Sequence, residues 1–286
     1  MKAIGADIGG TTIKGGLFEF GIGADTPRLI REINFPTHGK EGREKILESL
    51  FGVISALKEE GVEKIGISSA GNIDNERGIC VYATDNLLGW SGIDLKRIVE
   101  EKFRIPCMAD NDAVCALKGE LMAYPTVLNA TMLTLGTGVG GASLVNGKIV
   151  RGKNFDAGRW GHVCLVKNGR KCNCGKRGCA ETYLSATALL KDGRKKIKNL
   201  TDTKALFQLA RCGDERAESV LATFGENLNL LLDDIRTALA PERIILGGGV
   251  AQSEALILDL IKRKDDVAFA RLGNRAGMFG AISDMR

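Results

Sequence analysis

Cys172, Cys174 and Cys179 fall within the eight-residue stretch CNCGKRGC, and His162, one of two histidines among 286 residues, lies shortly before them. Thiolates and an imidazole are the donors that suit Zn²⁺ in a closed tetrahedral site, so these four residues read as a metal centre. The stretch is hydrophilic and broken by glycine, which argues against thiols that merely fill a core. The other five cysteines, Cys80, Cys107, Cys115, Cys164 and Cys212, stand in apolar or ordinary contexts and are expected to be core fillers.

Two glycine-rich turns offer a second chemistry. In DIGGTT, residues 7–12, glycines permit close backbone approaches, while amide N–H groups and the Thr11 and Thr12 hydroxyls can turn toward phosphate oxygens. GTGVGG at 136–141 offers the same anion cradle. A third run, GGGVA at 247–251, follows the strand-like RIILG and precedes a helical stretch, where it could hold the base and ribose of a nucleotide. Asp7, among phosphate-binding amides, would repel phosphate unless a cation intervened; it reads as a Mg²⁺-positioning carboxylate, or else as a turn-stabilising Asp. Attack of a hydroxyl on phosphorus needs a carboxylate to accept the proton, and Asp112 in ADNDA is the candidate. The helical run 113–122 follows at once, so the same residue could instead be an N-cap.

Elements that would carry these residues can be read from apolar periodicity. Strand-like runs occupy 2–7, 13–20, 30–35, 64–69 and 106–109, with a helical pattern at 42–60. A comparable order recurs at 130–135, 141–144, 162–166, 243–246 and 266–270, with helical stretches around 203–210 and 216–239. Both halves open with a strand, a glycine-rich turn and a second strand, ADIGGTTIKGGLF and LTLGTGVGGASLV, so one supersecondary plan is used twice. Two similar facing lobes would form a cleft. The boundary is expected just after Asp112, giving lobes of 1–112 and 113–286, with a closing helix at about 274–286 returning to the first lobe.

Composition narrows the function classes. Charged residues make up 26% and the formal net charge is +5, which gives little support to polyanion or nucleic-acid binding. The basic run KDGRKKIK at 191–198 reads as a solvated face. No run approaches the ~20 apolar residues of a membrane span. The N-terminus lacks the pattern of a signal peptide, so the expected compartment is the cytosol, where clustered thiols serve metals rather than disulfides.

Together these motifs resemble the sugar-kinase, Hsp70 and actin superfamily, and the cysteine stretch narrows the likeness to the ROK family of sugar kinases and repressors. The resemblance spans nearly the whole chain: DIGGTTIKGGL, NLLGW at 86–90, ADNDA at 109–113, LGTGVGGA, GRWGH, CNCGKRGCAE and ILGGGVA. It implies an α/β fold of two RNase H-like (actin-like ATPase) lobes with an interlobe cleft and a structural zinc site. It also implies a cytoplasmic, glucokinase-like hexose kinase using ATP and Mg²⁺, assembled as a dimer or tetramer. Asp7, Gly9, Gly10, Thr11, Thr12 and Lys14 match the first phosphate loop, Gly136, Thr137 and Gly138 the second, and Gly247, Gly248 and Gly249 the adenosine segment. The resemblance decides for Asp112 as the base and implies sugar contacts from Asn111, Asn86, Gly71 and Glu181. His162 would ligate zinc while offering its other ring nitrogen to a sugar hydroxyl.

Two positions depart from the family pattern. AGNID at 70–74 replaces a usual Pro-Gly-Pro, and Arg159 stands in GRWGH where the family has Glu, exchanging an acceptor for a fan of donors. Arg159 either grips an anionic or carbonyl-bearing sugar or swings outward and leaves an ordinary hexose to the other residues. Kinases for N-acetyl amino sugars, fructose, mannose or acidic sugars are therefore the alternatives, followed by a sugar-sensing regulator without a DNA-binding module. The family's repressors carry a helix-turn-helix ahead of the first phosphate loop, and a loop beginning at Asp7 leaves no room for one. A chaperone-like or filament-forming ATPase has no use for the zinc element or the sugar motifs.

Overall fold

A computed structural model describes residues 1–21 and 26–284. The chain divides into two compact units, one of Met1–Thr126 and Arg151–Ala157 with the C-terminal stretch from Asn274, the other of Val127–Val150 and Gly158–Gly273.

The first unit is built on strands β1 (Lys2–Ile8), β2 (Thr12–Glu19), β3 (Arg28–Pro36), β4 (Val62–Ser69) and β7 (Cys107–Asn111), in the order β3-β2-β1-β4-β7. β1, β2 and β3 are antiparallel, whereas β4 and β7 run parallel to β1. A small hairpin, β5 (Asn72–Asp74) and β6 (Ile79–Tyr82), stands apart from this sheet. Helix α1 (Arg43–Leu57) buries Ile46, Leu50, Val53, Ile54 and Leu57, a 3.6-residue stripe that packs with Ile4, Ile13, Leu17 and Ile65. α2 (Leu95–Phe103), capped by Asp94, enters the same core through Leu95, Val99 and Phe103. α3 (Asp112–Leu121) packs on α9 (Ala276–Ala281), and the Phe18 and Phe279 rings meet edge to face at 4.8 Å.

The second unit repeats the plan with β8 (Ala130–Leu135), β9 (Val139–Val145), β10 (Lys148–Ile149), β11 (Arg243–Gly247) and β12 (Val267–Phe269), ordered β10-β9-β8-β11-β12. β8 to β10 are antiparallel, and β11 and β12 parallel to β8. Five helices complete it: α4 (Glu181–Leu184), α5 (Ala186–Lys196), α6 (Thr203–Arg211), α7 (Glu215–Leu239) and α8 (Glu254–Leu260). Side chains of Ser185, Asp202 and Asp214 cap α5, α6 and α7. The core gathers Leu133, Leu246, Leu206, Phe224, Leu228 and Leu232. The strand, glycine turn and strand expected to open each half are seen in both sheets, and β10 rather than the run 162–166 takes the outer place beside β9.

Four expectations are corrected. The division falls after Thr126 rather than Asp112, because α3 seats on α9 so closely that a Cβ on Gly119 would lie 2.4 Å from the Ala276 carbonyl oxygen. The run 162–166 is not a strand: a 3₁₀ turn at Trp160–His162 leads into a segment that exchanges only short-range pairing with the cysteine loop, through Leu165 N–H to Gly178 O and Ala180 N–H to Val163 O. The closing helix is six residues, and positions 285 and 286 of the expected one lie outside the described residues. Finally, Cys164 and Cys212 are exposed rather than core fillers, whereas Cys80, Cys107 and Cys115 are buried.

Asp110 at the end of β7 anchors the short return of the chain into the first unit. Its buried carboxylate takes Arg151 Nη1 at 2.7 Å and Nη2 at 2.8 Å, Lys118 Nζ at 3.0 Å and the Asn111 N–H at 2.8 Å. Burial pushes its pKa up, but Arg151 and Lys118 outweigh that and hold it below the ordinary range. Arg151→Met leaves the carboxylate short of its bidentate partner, and the expected loss is about 3 kcal/mol. Arg151→Lys should lose less. Urea unfolding of the two variants beside the wild type checks both values.

Candidate active site

Parallel pairing aligns the carboxyl ends of β1, β4 and β7, with Asp7 beside Ser68 and Ser68 beside Asp110, then Ile8 beside Ser69 and Ser69 beside Asn111. Strand ends of this kind are where open α/β sheets present ligand-binding side chains. Asp7 is half-buried and accepts the Ser68 hydroxyl at 2.6 Å. Burial pushes its pKa up, against the Ser68 hydrogen bond and the nearby Lys14 ammonium. The turn that follows is closed by Gly9 N–H to Thr12 O at 3.1 Å and strapped by the Thr37 hydroxyl on Gly9 O at 2.7 Å. Gly10 and Thr11 face solvent, and Lys14 donates to Asn274 O at 3.2 Å.

Asn111 ends β7 and caps α3, its side-chain oxygen accepting the N–H groups of Ala113 and Val114 at 3.0 and 3.1 Å. The cap is therefore Asn111, and Asp112 is released from the capping role that its position also allowed. Asp112 is open to solvent, yet protein crowds it closely enough that desolvation, followed by repulsion from Asp7, raises its carboxyl to about 6. Ala113 N–H and Asn111 Nδ2 each donate to its Oδ1 at 2.8 Å and oppose the shift.

Asn111 Nδ2 also reaches the carbonyl of Gly71 at 2.8 Å. Gly71 has φ +113°, and a Cβ there would sit 2.7 Å from Tyr82 O, so only glycine lets the loop present that carbonyl. Below the loop, the buried Trp90 indole donates to Ser69 Oγ at 3.0 Å. The Asn86 side chain is exposed on the turn leading to Trp90. Asp7 with Ser68, and Asn111 with Gly71 and Asp112, are thus two hydrogen-bonded groups set side by side by strand register.

In the second unit the turn between β8 and β9 closes through Gly136 N–H to Gly138 O at 3.0 Å. α5 is tied to it by Ala186 N–H to Gly136 O at 2.7 Å and by the Thr187 hydroxyl to Thr137 O at 2.8 Å. Glu181 Oε2 accepts the Val139 N–H at 3.0 Å, so the residue expected to hold sugar also braces the second glycine loop. Gly247 pairs with Thr134 at the end of β11, and Val250 N–H reaches Leu135 O at 3.0 Å. GGGVA and the β8 turn therefore share one edge of the sheet.

His162 follows Gly161, whose backbone runs so close to β9 that a Cβ would lie 2.0 Å from Val139 O. The Cys172 sulfur is 3.8 Å from His162 Nδ1, and Cys174 and Cys179 sulfurs are 3.6 Å apart. All four donor atoms lie within 4.8 Å of one another. Tetrahedral Zn²⁺ with ~2.3 Å sulfur bonds needs sulfurs roughly 3.7 Å apart, so the cluster fits the ion. Backbone bonds Cys172 N–H to Lys176 O and Gly178 N–H to Arg170 O shape the loop. Cys164 lies outside the cluster, its sulfur on Arg177 O. Burial and the charge of Arg159 lower the His162 pKa, and Glu181 opposes them. Arg159 itself is exposed and makes no ion pair among the described residues. Ser68, Trp90 and the Asp110–Arg151 pair were not singled out from sequence, because lone Ser, Trp and Arg residues carry no spacing signal; only strand register joins them to the site.

A family model described as ROK family matches residues 3–283. The glucokinase of Halalkalibacterium halodurans is 30% identical over 97% of this chain and 92% of its own length. The crystal structure of a ROK hexokinase from Thermus thermophilus is similar with a TM-score of 0.81 at 31% identity, covering 98% of this chain and 96% of that one. A ROK family glucokinase from Streptomyces griseus, solved with glucose and AMPPNP, gives 0.84 at 28% identity, with 100% and 99% covered. No helix among the described residues is long and apolar enough to cross a membrane.

Proposed function

The chain belongs to the ROK family, and from that membership we propose that it is an ATP-dependent hexose kinase of the glucokinase kind. The observation that carries the reading is the Asp112 carboxyl. It is accessible, set at the carboxyl ends of the parallel strands of a mixed sheet, and tuned to about 6, so it is ionised at neutral pH yet still basic enough to take a proton. In the proposed reaction a sugar hydroxyl gives its proton to Asp112 while its oxygen bonds to the terminal phosphorus of ATP. The bond from that phosphorus to the bridging oxygen breaks, and the electron pair leaves on ADP.

Roles of the remaining residues follow from their chemistry. The glycine turns at 9–12 and 136–138 offer amides to phosphate, Gly247, Gly248 and Gly249 hold adenosine, and Asp7 positions Mg²⁺, which offsets phosphate charge. His162, Cys172, Cys174 and Cys179 would hold a structural Zn²⁺ that fixes the imidazole orientation, and the free edge of that ring, Glu181 and Asn86 contact sugar hydroxyls.

A coupled ADP-release assay over glucose, mannose, fructose, N-acetyl amino sugars, glucuronate and gluconate tests this reading. Turnover of a neutral hexose is expected, with acidic sugars at least ~10-fold poorer. Preference for glucuronate or gluconate would instead give the unpaired guanidinium of Arg159 the role of an anion grip, and absence of turnover with every sugar would remove the kinase reading.

A further inference from the structure

One thiol of the cysteine loop is left out of the metal set. Cys164 is exposed, with its sulfur 3.6 Å from Arg177 O, whereas Cys172, Cys174 and Cys179 gather with His162. The backbone of Cys164 is nevertheless the antiparallel partner of Cys179. Leu165 N–H reaches Gly178 O at 2.9 Å and Ala180 N–H reaches Val163 O at 2.9 Å, so these bonds flank the pair on both sides. That is the non-hydrogen-bonded position of an antiparallel ladder, where Cα atoms lie about 4.5 Å apart and the two side chains leave the same face. A disulfide spans Cα separations of roughly 4.4–6.8 Å, so the pair is within reach of one. Gly178, next to Cys179, sets no side chain against the Cys164 sulfur, since a Cβ there would come within 3.2 Å of it.

We propose that Cys164 is an oxidation site that controls the metal centre: with a peroxide as oxidant it joins Cys179 in a cross-strand disulfide and so withdraws one of the four donors. The proposal rests on the zinc reading of the cluster, and its effect on activity rests on the kinase reading. In the first step the Cys164 sulfur bonds to one peroxide oxygen, the O–O bond breaks, and the thiol proton leaves with the other oxygen as water, giving a sulfenic acid. In the second, the Cys179 thiolate bonds to the Cys164 sulfur, the S–O bond breaks, and hydroxide leaves. One thiol, one thiolate and one peroxide thus become one disulfide, one water and one hydroxide; the two sulfurs give up two electrons and the peroxide takes them. Cys164 reacts first because it is exposed and stands outside the donor set, whereas the other three sulfurs each have a lone pair engaged when zinc is bound. With Cys179 withdrawn, only His162, Cys172 and Cys174 remain to hold the ion, and it is released.

Zinc-loaded full-length wild type and Cys164→Ser, treated with hydrogen peroxide, test the proposal through zinc release to a chromogenic chelator and through tryptic mass spectrometry without reduction. Cys164→Ser removes no metal donor and should carry as much zinc as wild type before treatment. Wild type should release about one Zn²⁺ per chain, and Cys164→Ser should release it at least ~10-fold more slowly. The wild-type digest, which needs no variant, should show the peptide 160–167, WGHVCLVK, joined to 178–191, GCAETYLSATALLK, and dithiothreitol with added zinc should undo both changes. Cys212→Ser, which removes the other exposed thiol outside the cluster, should behave as wild type. Peptide 172–176 joined to 178–191 in place of that product, or equal zinc release from Cys164→Ser, would make Cys174 the oxidised thiol and overturn the proposal. Cys164 found as an unlinked sulfinic acid with zinc retained overturns it as well. A wild type that binds no zinc overturns it together with the metal assignment. Sugar phosphorylation is followed in parallel and should fall as zinc leaves; if the wild type phosphorylates no sugar at all, the kinase reading fails, while the digest and the zinc release still decide this proposal.

Discussion

Replacing Asp112 by Asn should lower kcat by at least ~100-fold, the ordinary cost of losing a general base, with the KM for ATP little changed. The substitution keeps the shape of the side chain, and the cap of α3 is untouched because it is made by Asn111. Loss of activity would therefore report chemistry rather than a broken helix. Thermal melting provides the control: an ionised Asp112 is held near Asp7 and partly stripped of water, so the Asp112→Asn protein should melt no lower than wild type. The sign of the pH dependence follows from the raised value. Below about 6 the carboxyl carries its proton and cannot accept another, so wild-type kcat should rise about tenfold per pH unit up to that point and level off above it. The folded state binds this proton more tightly than the unfolded chain. The penalty for ionising Asp112 is thus absent below the ordinary carboxylate range, grows as pH rises toward 6, and is full above it. Equal turnover by the wild type and the Asp112→Asn protein at pH 7.5 would take Asp112 out of the mechanism.

Cys179→Ser should abolish metal retention and lower activity by roughly 10- to 100-fold, the range seen when a site loses the interactions that orient its ligands. Cys179 is buried, its sulfur lies beside that of Cys174, and its N-terminal neighbour Gly178 is bonded to Arg170. With no ion to gather them, the loop from 164 to 179 keeps its backbone bonds but loses the one link that would join His162 to all three sulfurs. The first check is metal content by mass spectrometry, expected at about one Zn²⁺ per chain for wild type and near none for the variant. Trypsin supplies a second, activity-free reading: chelated wild type and the Cys179→Ser protein should be cut at the exposed Lys171, Lys176 and Arg177, and metal-loaded wild type should resist. Wild-type protein that holds no metal after growth with zinc would overturn the assignment.

Much of the site was legible because its chemistry is local in sequence. Three cysteines in one octapeptide and glycines at the turns of two similar strand pairs signal through spacing alone, whereas the role of Asp112 came from the family resemblance; the structure brings the cysteines together with His162 as the spacing implied. The doubled sheet plan was readable for the same reason, since period-2 apolar runs and their intervening glycines repeat in order. The run 162–166 misled because its apolar residues face the second unit's core from an irregular loop, with Val163 and Leu165 packed there without a ladder. Cys164 misled because apolar neighbours in sequence do not fix burial, and Cys212 sits exposed at the end of α6 between Arg211 and Gly213.

By itself, then, the amino-acid order determined the family, the two-fold repetition of strand, turn and strand, and the four clustered Cys and His residues, since all of these depend on residue type at short range. Tertiary structure alone decided which of two adjacent residues caps α3, that Glu181 braces the second glycine loop, and that Asp110 pairs with Arg151. These are matters of register and direction. A hydrogen bond extends over about three ångströms, and whether a side chain distant in sequence comes within that reach is set only when strands align and helices seat.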